Sequence, residues 1–438
     1  MVTTPAMDAI FSLAAHVSAM LKFEAALAQA QSHVGVIPQE AAQGIAAQCR
    51  VELFDIAALY ADAVSAGTPA IPLVRMLTAK VEGDAKKYVH WGATSQDAID
   101  TALMLQMRDG LDLLITGLHD IGSTCAKLAE EHRHTLMVGR TLLQQALPIT
   151  FGLKAARWLA LVTRQIGSLR MLRERSLAVQ LGGAAGTLAS LGDKGLSIIE
   201  QLAIMLSLPA PEMPWHTERD RIAEIATTLG IVAGAMAKIA EDMVLLSQTE
   251  VGEVSEGKVR GKGGSSAMPQ KHNPVDAMRA IAASRLAIGE VPVILSAMTQ
   301  EHERSVGGWQ AEWTALPDLF RFTSGAVEGV RRTLAGLQVD ATRMRANLDM
   351  TGGLVMAEAL TMALAQHIGR PEAYRLVQAA SSRVPQSSKD FHSIVLDDEQ
   401  ICTILSKEDV EKIFDPMHYL GSTDAFIDAA LAAHAKAQ

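Results

Sequence analysis

The chain has 438 residues, of which 49% are hydrophobic and 4% aromatic, and its formal net charge is −9 at pH 7. That length and apolar content predict a globular protein with a large core and two or three domains, and they exclude a disordered chain. The negative charge argues against nucleic acid or an anionic membrane as a bulk partner. The three cysteines, Cys49, Cys125 and Cys402, form neither a disulfide framework nor a zinc-binding spacing.

No secretion signal, membrane span or cofactor motif is predicted. Residues 1–5 lack the basic and apolar regions of a signal peptide. The longest apolar stretch, residues 231–246, is interrupted by Lys238, Glu241 and Asp242, so it cannot span a bilayer. The sequence contains neither a metal-ligand spacing nor a nucleotide-binding glycine motif. We therefore expect a cytoplasmic protein without a membrane partner, a metal or a cofactor.

Taken in chain order, the sequence predicts short helices and turns over residues 1–106 and then three long helices of a bundle. Each long helix is marked by apolar residues that recur every three or four positions. The three stripes consist of Met107, Leu111, Leu114, Leu118, Ile121, Cys125 and Leu128; of Ala155, Leu159, Val162, Ile166 and Leu169; and of Val232, Met236, Ile239, Met243 and Leu246. We expect all of these side chains, including the Cys125 thiol, in the core.

Two further long helices complete the predicted bundle. One is expected to begin at Pro274 with Asn273 as its N-cap, and to kink or end at Pro292. The other is expected over residues 316–337. A break at residues 338–340 then separates a bundle domain, residues 107–337, from a smaller helical domain, residues 338–438. Helices this long carry surplus apolar surface, so we expect a homo-oligomer.

Three separated segments combine small, hydroxyl and amide residues with few apolar ones: residues 90–97, 139–148 and 264–274. Each is expected just before a long helix, where free N–H groups and the helix dipole favour anions. Taken alone, the first could be an ordinary helix cap, the second a turn and the third a linker. Their joint occurrence at predicted helix starts favours a site for an anionic ligand.

The third segment has the composition of a mobile lid. It follows a run rich in glycine and cations, residues 256–263, and contains Ser265, Ser266 and Lys271 before the pair Asn273-Pro274. Glycines give such a run conformational freedom. The segment is therefore interpreted as a loop that brings a reactive hydroxyl to a bound anion.

In this order, the three segments resemble the signature regions of the fumarase/aspartase superfamily, whose members add or eliminate groups beside a carboxylate. The resemblance covers nearly the whole chain. Further strings, at residues 180–186, 214–221, 300–305 and 418–421, resemble the bacterial cycloisomerase branch, which closes a lactone on 3-carboxy-cis,cis-muconate. The resemblance implies an all-α fold, with a long central helix bundle flanked by two smaller helical domains. It also implies a homotetramer with active sites shared between subunits.

The same resemblance assigns roles to residues. Ser265 becomes the general acid/base, Lys271 a cation that stabilises its alkoxide, and Asn273 the residue that fixes the loop. The small polycarboxylate substrate would be bound by a further set of residues: His90, Thr94, Ser95, Arg140, Thr141, Gln144, Ser266, Met268 and Arg304. The roles of His216, where helix capping is the alternative, and of His302 stay open.

One departure from the superfamily pattern is informative. Many members place a histidine after the Arg-Thr of the second segment, and in the adenylosuccinate lyases it handles the proton of the departing amine. Here that position is Leu142. A carboxylate needs no such acid, because the pKa of its conjugate acid is about 4. Leu142 therefore favours lactone formation over an amine lyase.

Two aromatic residues point the same way, and two alternatives stay open. Trp309 and Trp313 stand where adenylosuccinate lyases commonly have residues that suit a nucleotide phosphate. The alternatives are an amine lyase of the adenylosuccinate type and a non-catalytic structural homologue. Within the cycloisomerase hypothesis, a sulfonate in place of one substrate carboxylate also stays open.

Overall fold

The structure is a computed structural model, and it describes residues 2–257 and 262–437. Lys258 and Arg260, two cations of the predicted lid, lie outside the described residues. Eighteen α-helices occur in the described part: α1 Pro5–Ile10, α2 Leu13–His33, α3 Gln39–Gln48, α4 Ile56–Ala66, α5 Ala70–Lys80, α6 Ser95–Glu131, α7 Phe151–Arg175, α8 Gly195–Leu206, α9 Asp220–Leu246, α10 Val275–Ser296, α11 Gly308–Ala335, α12 Ala341–Asp349, α13 Ala357–Ile368, α14 Arg370–Arg383, α15 Phe391–Leu396, α16 Glu399–Ile404, α17 Lys407–Phe414 and α18 Thr423–Ala437. Four strands accompany them: β1 Leu136–Thr141, β2 Gln144–Thr150, β3 Val254–Ser255 and β4 Gln338–Val339.

The five predicted long helices are confirmed as α6, α7, α9, α10 and α11. All residues of the three apolar stripes are at most 8% exposed, so the helical period in the sequence marks the core directly. Cys125 belongs to this core, and burial raises the pKa of its thiol to about 12. It is a core residue, as expected, rather than a reactive thiol.

Two helix boundaries and one helix length differ from the prediction. Helix α10 continues through Pro292 to Ser296, and α11 begins at Gly308 and runs through Pro317. A proline costs a helix one hydrogen bond and a steric clash, but packing along a long apolar face can outweigh that cost. Residues 1–106 also contain a helix of 21 residues, α2, where shorter helices were expected.

The chain forms two compact units. The first comprises residues 1–118, 165–238 and 278–330, and the second comprises residues 119–164, 239–277 and 331–438. The first unit contains α1 to α5 and α8, whereas the second contains the four strands and α12 to α18. The division into residues 1–106, 107–337 and 338–438 partitions the chain differently and stays a prediction.

The second segment forms a β-hairpin that the sequence analysis missed. Strands β1 and β2 pair antiparallel from Leu136 opposite Thr150 to Thr141 opposite Gln144. The two residues between the strands, Leu142 and Leu143, have φ values of 50° and 65°. Only after the second strand does α7 begin. The segment therefore precedes a long helix, as expected, but its residues belong to strands and a tight turn.

The predicted break at residues 338–340 is also present. Strand β4 pairs with β3 through Val339 opposite Val254. Asp340 then caps α12 by accepting a hydrogen bond from the Arg343 N–H at 2.8 Å.

No single helix in the described ranges is long and apolar enough to cross a membrane. One bent pair, Ala341–Asp349 with Leu354–Ile368 at 76°, meets the length and composition criteria together.

Candidate active site

The first segment ends at the N-terminus of α6, where it is held by Asp97. The Thr94 backbone N–H donates to Asp97 Oδ2 at 2.9 Å, and the Asp97 N–H donates to the Thr94 carbonyl at 3.0 Å. A carboxylate at the third helical position that binds back to the cap residue is one half of a capping box. It fixes Thr94 and Ser95 at the positive end of a helix of 37 residues.

Arg304 lies beside this helix start. Its guanidinium donates to Thr94 Oγ1 at 2.8 Å and to the carbonyls of Ala184 and Gly183 at 3.0 and 3.4 Å. All three partners are neutral oxygens, and in the described ranges no carboxylate pairs with Arg304. Its positive charge therefore remains uncompensated next to Thr94 and Ser95, as a site for an anion requires.

His90 adds a second cationic group to the same unit. Its Nδ1 lies 2.6 Å from Glu24 Oε1, and Glu24 is fully buried in α2. Burial opposes protonation of the imidazole, but the charge and hydrogen bond of Glu24 outweigh it and raise the pKa of His90 above 6.5. His90 also has a φ of 58°, which is strained for a residue with a side chain. A buried acid thus favours the imidazolium form near the first segment.

Asp97 and His216 form a buried pair that sequence reasoning missed. His216 Nε2 lies 2.7 Å from Asp97 Oδ1, and Asp97 also accepts the backbone N–H groups of Gly182 and Gly183 at 2.9 and 3.0 Å. His216 lies ahead of α9 and caps no helix, so the capping alternative is wrong. The Thr94-to-Asp97 spacing signals only the half capping box, and nothing in the sequence points to the His216 partner 119 residues away.

A buried ion cluster lies further along α6. Arg219 donates to Asp100 at 2.8 Å and to Glu312, and Trp309 Nε1 donates to Asp100 Oδ1 at 2.9 Å. Burial raises the pKa of Glu312, although Arg219 opposes this shift. Trp309 is thus a core residue that satisfies a buried carboxylate.

On the hairpin, Arg140 is occupied by a carboxylate of the protein. Its two terminal nitrogens lie 3.0 and 2.7 Å from the two oxygens of Glu253, and Glu253 also accepts from Asn347 Nδ2 at 2.8 Å. Such a bidentate pair leaves little of the guanidinium for a ligand. The structure therefore places Arg140 in a buried network of the second unit, in contrast to Arg304.

The tip of the hairpin is exposed and carries no ionisable group. Thr141 and Gln144 are exposed and face each other as the last pair of the ladder. Leu142 is 96% and Leu143 is 74% exposed. Two adjacent non-glycine residues with positive φ are unusual in a two-residue turn, which favours asparagine and glycine. Strain of this kind concentrates at functional sites.

On the third segment, Ser265 lies in a tight turn of its own loop. Its Oγ accepts the backbone N–H groups of Ala267 at 3.3 Å and Met268 at 3.1 Å. Two donors aimed at one hydroxyl oxygen stabilise its alkoxide. Ser266, Met268 and Lys271 are exposed on the same loop. In the described part of the chain the Lys271 ammonium has no ion-pair partner.

The helix that follows the loop, α10, is capped by Glu256 rather than by Asn273. The Glu256 carboxylate accepts the N–H groups of Asp276 and Ala277 at 3.3 and 2.8 Å, so it caps α10. The N-cap prediction for Asn273 is therefore wrong, because a carboxylate from 17 residues earlier occupies that position. The Asn273 backbone N–H instead donates to the Gly263 carbonyl at 2.8 Å, which closes the loop.

Lys262 is not a free cation of the lid. Its ammonium lies 2.9 Å from Glu256 and 2.6 Å from Asp276, and these carboxylates raise its pKa although burial opposes the shift. Among the lid cations that the structure describes, Lys262 is thus neutralised by carboxylates, whereas Lys271 has no ion-pair partner. Over the described ranges, no three His, Cys, Asp or Glu side chains are placed to hold a metal ion.

Comparison with known proteins agrees with the fold. Residues 1–289 match a lyase family, and residues 353–430 match the C-terminal domain of adenylosuccinate lyases. The chain is 50% identical, over 94% of its length and 92% of the relative, to the 3-carboxy-cis,cis-muconate cycloisomerase of Bradyrhizobium diazoefficiens. It is 46% identical to the enzyme of that name from Pseudomonas aeruginosa, over 98% and 94% of the two chains. The crystal structure of the 3-carboxy-cis,cis-muconate lactonizing enzyme from Pseudomonas putida superposes with a TM-score of 0.93 at 43% identity, covering 99% and 98% of the two chains.

Proposed function

The chain belongs to the lyase family of the fumarase/aspartase superfamily, and from that membership we propose that it is a cycloisomerase. Its reaction is the anti lactonisation of 3-carboxy-cis,cis-muconate to 4-carboxymuconolactone, a step of aromatic (protocatechuate) degradation. The observation that carries the chemistry is a single poised hydroxyl, Ser265, together with a hairpin tip that has no second proton carrier. The Ser265 hydroxyl is poised because two backbone amides donate to its Oγ. The hairpin tip lacks a second proton carrier because Leu142 stands where many relatives have a histidine.

The reaction forms one C–O bond and one C–H bond. A substrate carboxylate oxygen adds to a diene carbon, and the π electrons move to the α-carbon as an enolate-like carboxylate. Ser265 then donates its proton to that carbon, and solvent returns a proton to Ser265. Three substrate carboxylates become two carboxylates and a lactone, so one proton is taken up per turnover.

Ser265 can serve both directions because its alkoxide is stabilised locally. The N–H groups of Ala267 and Met268 point at Oγ. Lys271 supplies a positive charge on the same loop, and Asn273 closes the loop through its backbone. Fixed donors around an oxyanion avoid the reorganisation that water would require. In the reverse direction the same alkoxide removes the α-proton.

The substrate carboxylates are bound by the groups whose charge is left uncompensated. Arg304, with Thr94 and Ser95, takes one carboxylate at the start of α6. His90, which pairs with Glu24 and so differs from Arg304, is assigned to the same subsite. Thr141, Gln144, Ser266 and Met268 contact the substrate as exposed residues of the hairpin and the loop. Arg140 shapes the hairpin through Glu253 and acts on substrate only through it.

Leu142 argues against an amine lyase. An amine leaving group needs a general acid, and the exposed residues 141–144 offer none. A carboxylate nucleophile needs no acid or base, because it is already ionised at neutral pH.

The protein acts as a homotetramer in the cytoplasm, and segments from different subunits complete each active site. The exposed leucines at the hairpin tip support this assembly, because exposed apolar residues in a strained turn gain stability when a partner covers them.

One assay tests the function against its alternatives. Purified protein is mixed with 3-carboxy-cis,cis-muconate, and the loss of diene absorbance is followed with adenylosuccinate in parallel. The proposal predicts turnover of the muconate alone. No diene loss at micromolar enzyme contradicts it, and cleavage of adenylosuccinate supports the amine lyase instead.

A further inference from the structure

Asp97 accepts several hydrogen bonds, but it has no role in the proposed chemistry. Its carboxylate is fully buried and accepts from four groups: Thr94 N, Gly182 N, Gly183 N and His216 Nε2, at 2.7 to 3.0 Å. Four donors around one buried carboxylate satisfy its oxygens and fix three separate pieces of chain on it.

Two of these pieces are the ones that hold Arg304. Thr94, whose N–H is bound by Asp97, presents Oγ1 to the guanidinium. Gly183, whose N–H is also bound by Asp97, accepts from the guanidinium through its own carbonyl and is followed by Ala184, which does the same. Asp97 therefore binds the backbone of Thr94 and Gly183, two of the three residues that accept from Arg304, and the third, Ala184, follows Gly183 directly. No hydrogen bond between the Asp97 and Arg304 side chains is present in the described residues.

His216, the side-chain donor to Asp97, is itself held in place by two neighbours. Its ring packs against Gly182, where an added Cβ would lie 2.7 Å from the ring. Gln96 Nε2 donates to the His216 carbonyl at 2.7 Å, which ties the histidine to the first turn of α6. The glycine at residue 182 is thus required by the close approach of the imidazole that donates to Asp97.

We propose that Asp97, supported by His216, is a positioning residue that orients Arg304 and Thr94 for a substrate carboxylate. The proposal rests on the proposed function, because it assigns a carboxylate to the Arg304 subsite. Asp97 does not contact the substrate. It acts by holding Thr94 and the loop at residues 182–184 in place, and these in turn orient the Arg304 guanidinium toward the substrate carboxylate.

A double-mutant cycle on ligand binding tests the coupling. The probe is tricarballylate, which has three carboxylates and no double bond, and its dissociation constant is measured by calorimetry. Loss of a hydrogen bond to a charged group costs about 10- to 100-fold, so Asp97→Asn and Arg304→Gln are each expected to weaken binding by that factor. Because both act on one subsite, the double variant should bind about as weakly as Arg304→Gln alone. If the double variant instead loses affinity by the product of the two single-variant factors, the proposal is overturned.

Amide hydrogen exchange gives an independent readout that needs no ligand. In Asp97→Asn the Gly182 and Gly183 amides should exchange at least about tenfold faster, because their acceptor has lost its charge. Asp193→Asn makes the same change on an exposed carboxylate of the same unit and should leave these amides unchanged. Unchanged exchange in Asp97→Asn overturns the proposal. If Asp97→Asn does not fold, His216→Leu replaces it in both measurements, and His216→Gln, which restores an N–H donor, should recover most of the loss.

The two proposals can fail separately. If the wild-type protein neither binds tricarballylate nor consumes the muconate, the proposed function is wrong, whereas the exchange rates still decide whether Asp97 orders the loop. If the muconate is consumed but the losses multiply, the function stands and the positioning role of Asp97 is wrong.

Discussion

Arg140 and Arg304 carry the same guanidinium in opposite electrostatic surroundings. Arg140 is bound by both oxygens of the buried Glu253, whereas Arg304 contacts only neutral oxygens within the described residues. A guanidinium that already has a buried carboxylate is needed to keep that charge paired, and one without a carboxylate can bind a ligand. Sequence reasoning named both residues as substrate-binding, because it could not see the partner that Glu253 provides from 113 residues away.

Substitutions of the two arginines are expected to have different effects: one on the free energy of unfolding and the other on KM. Arg140→Gln leaves Glu253 buried without its cation, so the free energy of unfolding should fall by about 3 kcal/mol in urea titrations. Arg304→Gln should leave that free energy nearly unchanged but raise KM for the muconate by about 10- to 100-fold. The reverse pattern, with lost substrate binding in a fully stable Arg140→Gln, would place Arg140 on the substrate.

His90 gives a pH dependence whose sign is fixed by Glu24. The pKa of His90 is raised above 6.5, so the stability from the charged pair is fully present below pH 6.5 and is lost as pH rises through the raised pKa. Glu24→Gln removes the attraction but keeps the burial, so the pKa of His90 should fall below 6.5. Titration of the histidine signals by NMR measures this, with the other histidines as internal references. A pKa that does not change in Glu24→Gln would show that Glu24 is not the cause.

At the scale of elements, the loop that carries Ser265 depends on a carboxylate outside it. Glu256 caps α10 and pairs with Lys262, so it fixes the chain before and after residues 264–272. Glu256→Gln should lower the free energy of unfolding by about 1 to 2 kcal/mol, because a cap and an ion pair are weakened together. It should also lower kcat, since Ser265 is less well placed.

Limited proteolysis separates these effects on the loop from a global loss of stability. In Glu256→Gln, cleavage within residues 262–274 should accelerate more than cleavage elsewhere. Glu408→Gln, on an exposed helix face, makes the same change and serves as the control. Equal cleavage in both variants would mean that Glu256 does not hold the loop.

The elements that sequence could predict are those with a strong period. Helices α6, α7 and α9 follow from apolar stripes that are buried in the core. The β-hairpin does not, because its turn residues Leu142 and Leu143 give no glycine or asparagine signal. The cap of α10 was missed for another reason. The Asn-Pro pair predicts Asn273 as the N-cap, but the carboxylate of Glu256, 17 residues earlier, accepts the first N–H groups of the helix instead.

At the scale of the whole molecule, the proposal that subunits share active sites predicts that activity requires assembly. Light scattering should give the mass of a tetramer in solution. Replacing both tip leucines by Asn and Gly relieves the positive φ at the turn and removes the exposed apolar surface. We expect this variant to fold with equal or greater monomer stability, to assemble less well and to lose activity in proportion. Full activity in a monomer would contradict shared sites.

The most direct test of the account is the turnover of Ser265→Ala with 3-carboxy-cis,cis-muconate. If Ser265 is the only proton carrier, kcat should fall by at least about 1000-fold, since general acid–base catalysis and its supporting field are lost together. Ser382→Ala, on an exposed position of α14, should keep wild-type turnover. Undiminished lactone formation by Ser265→Ala would contradict the central claim.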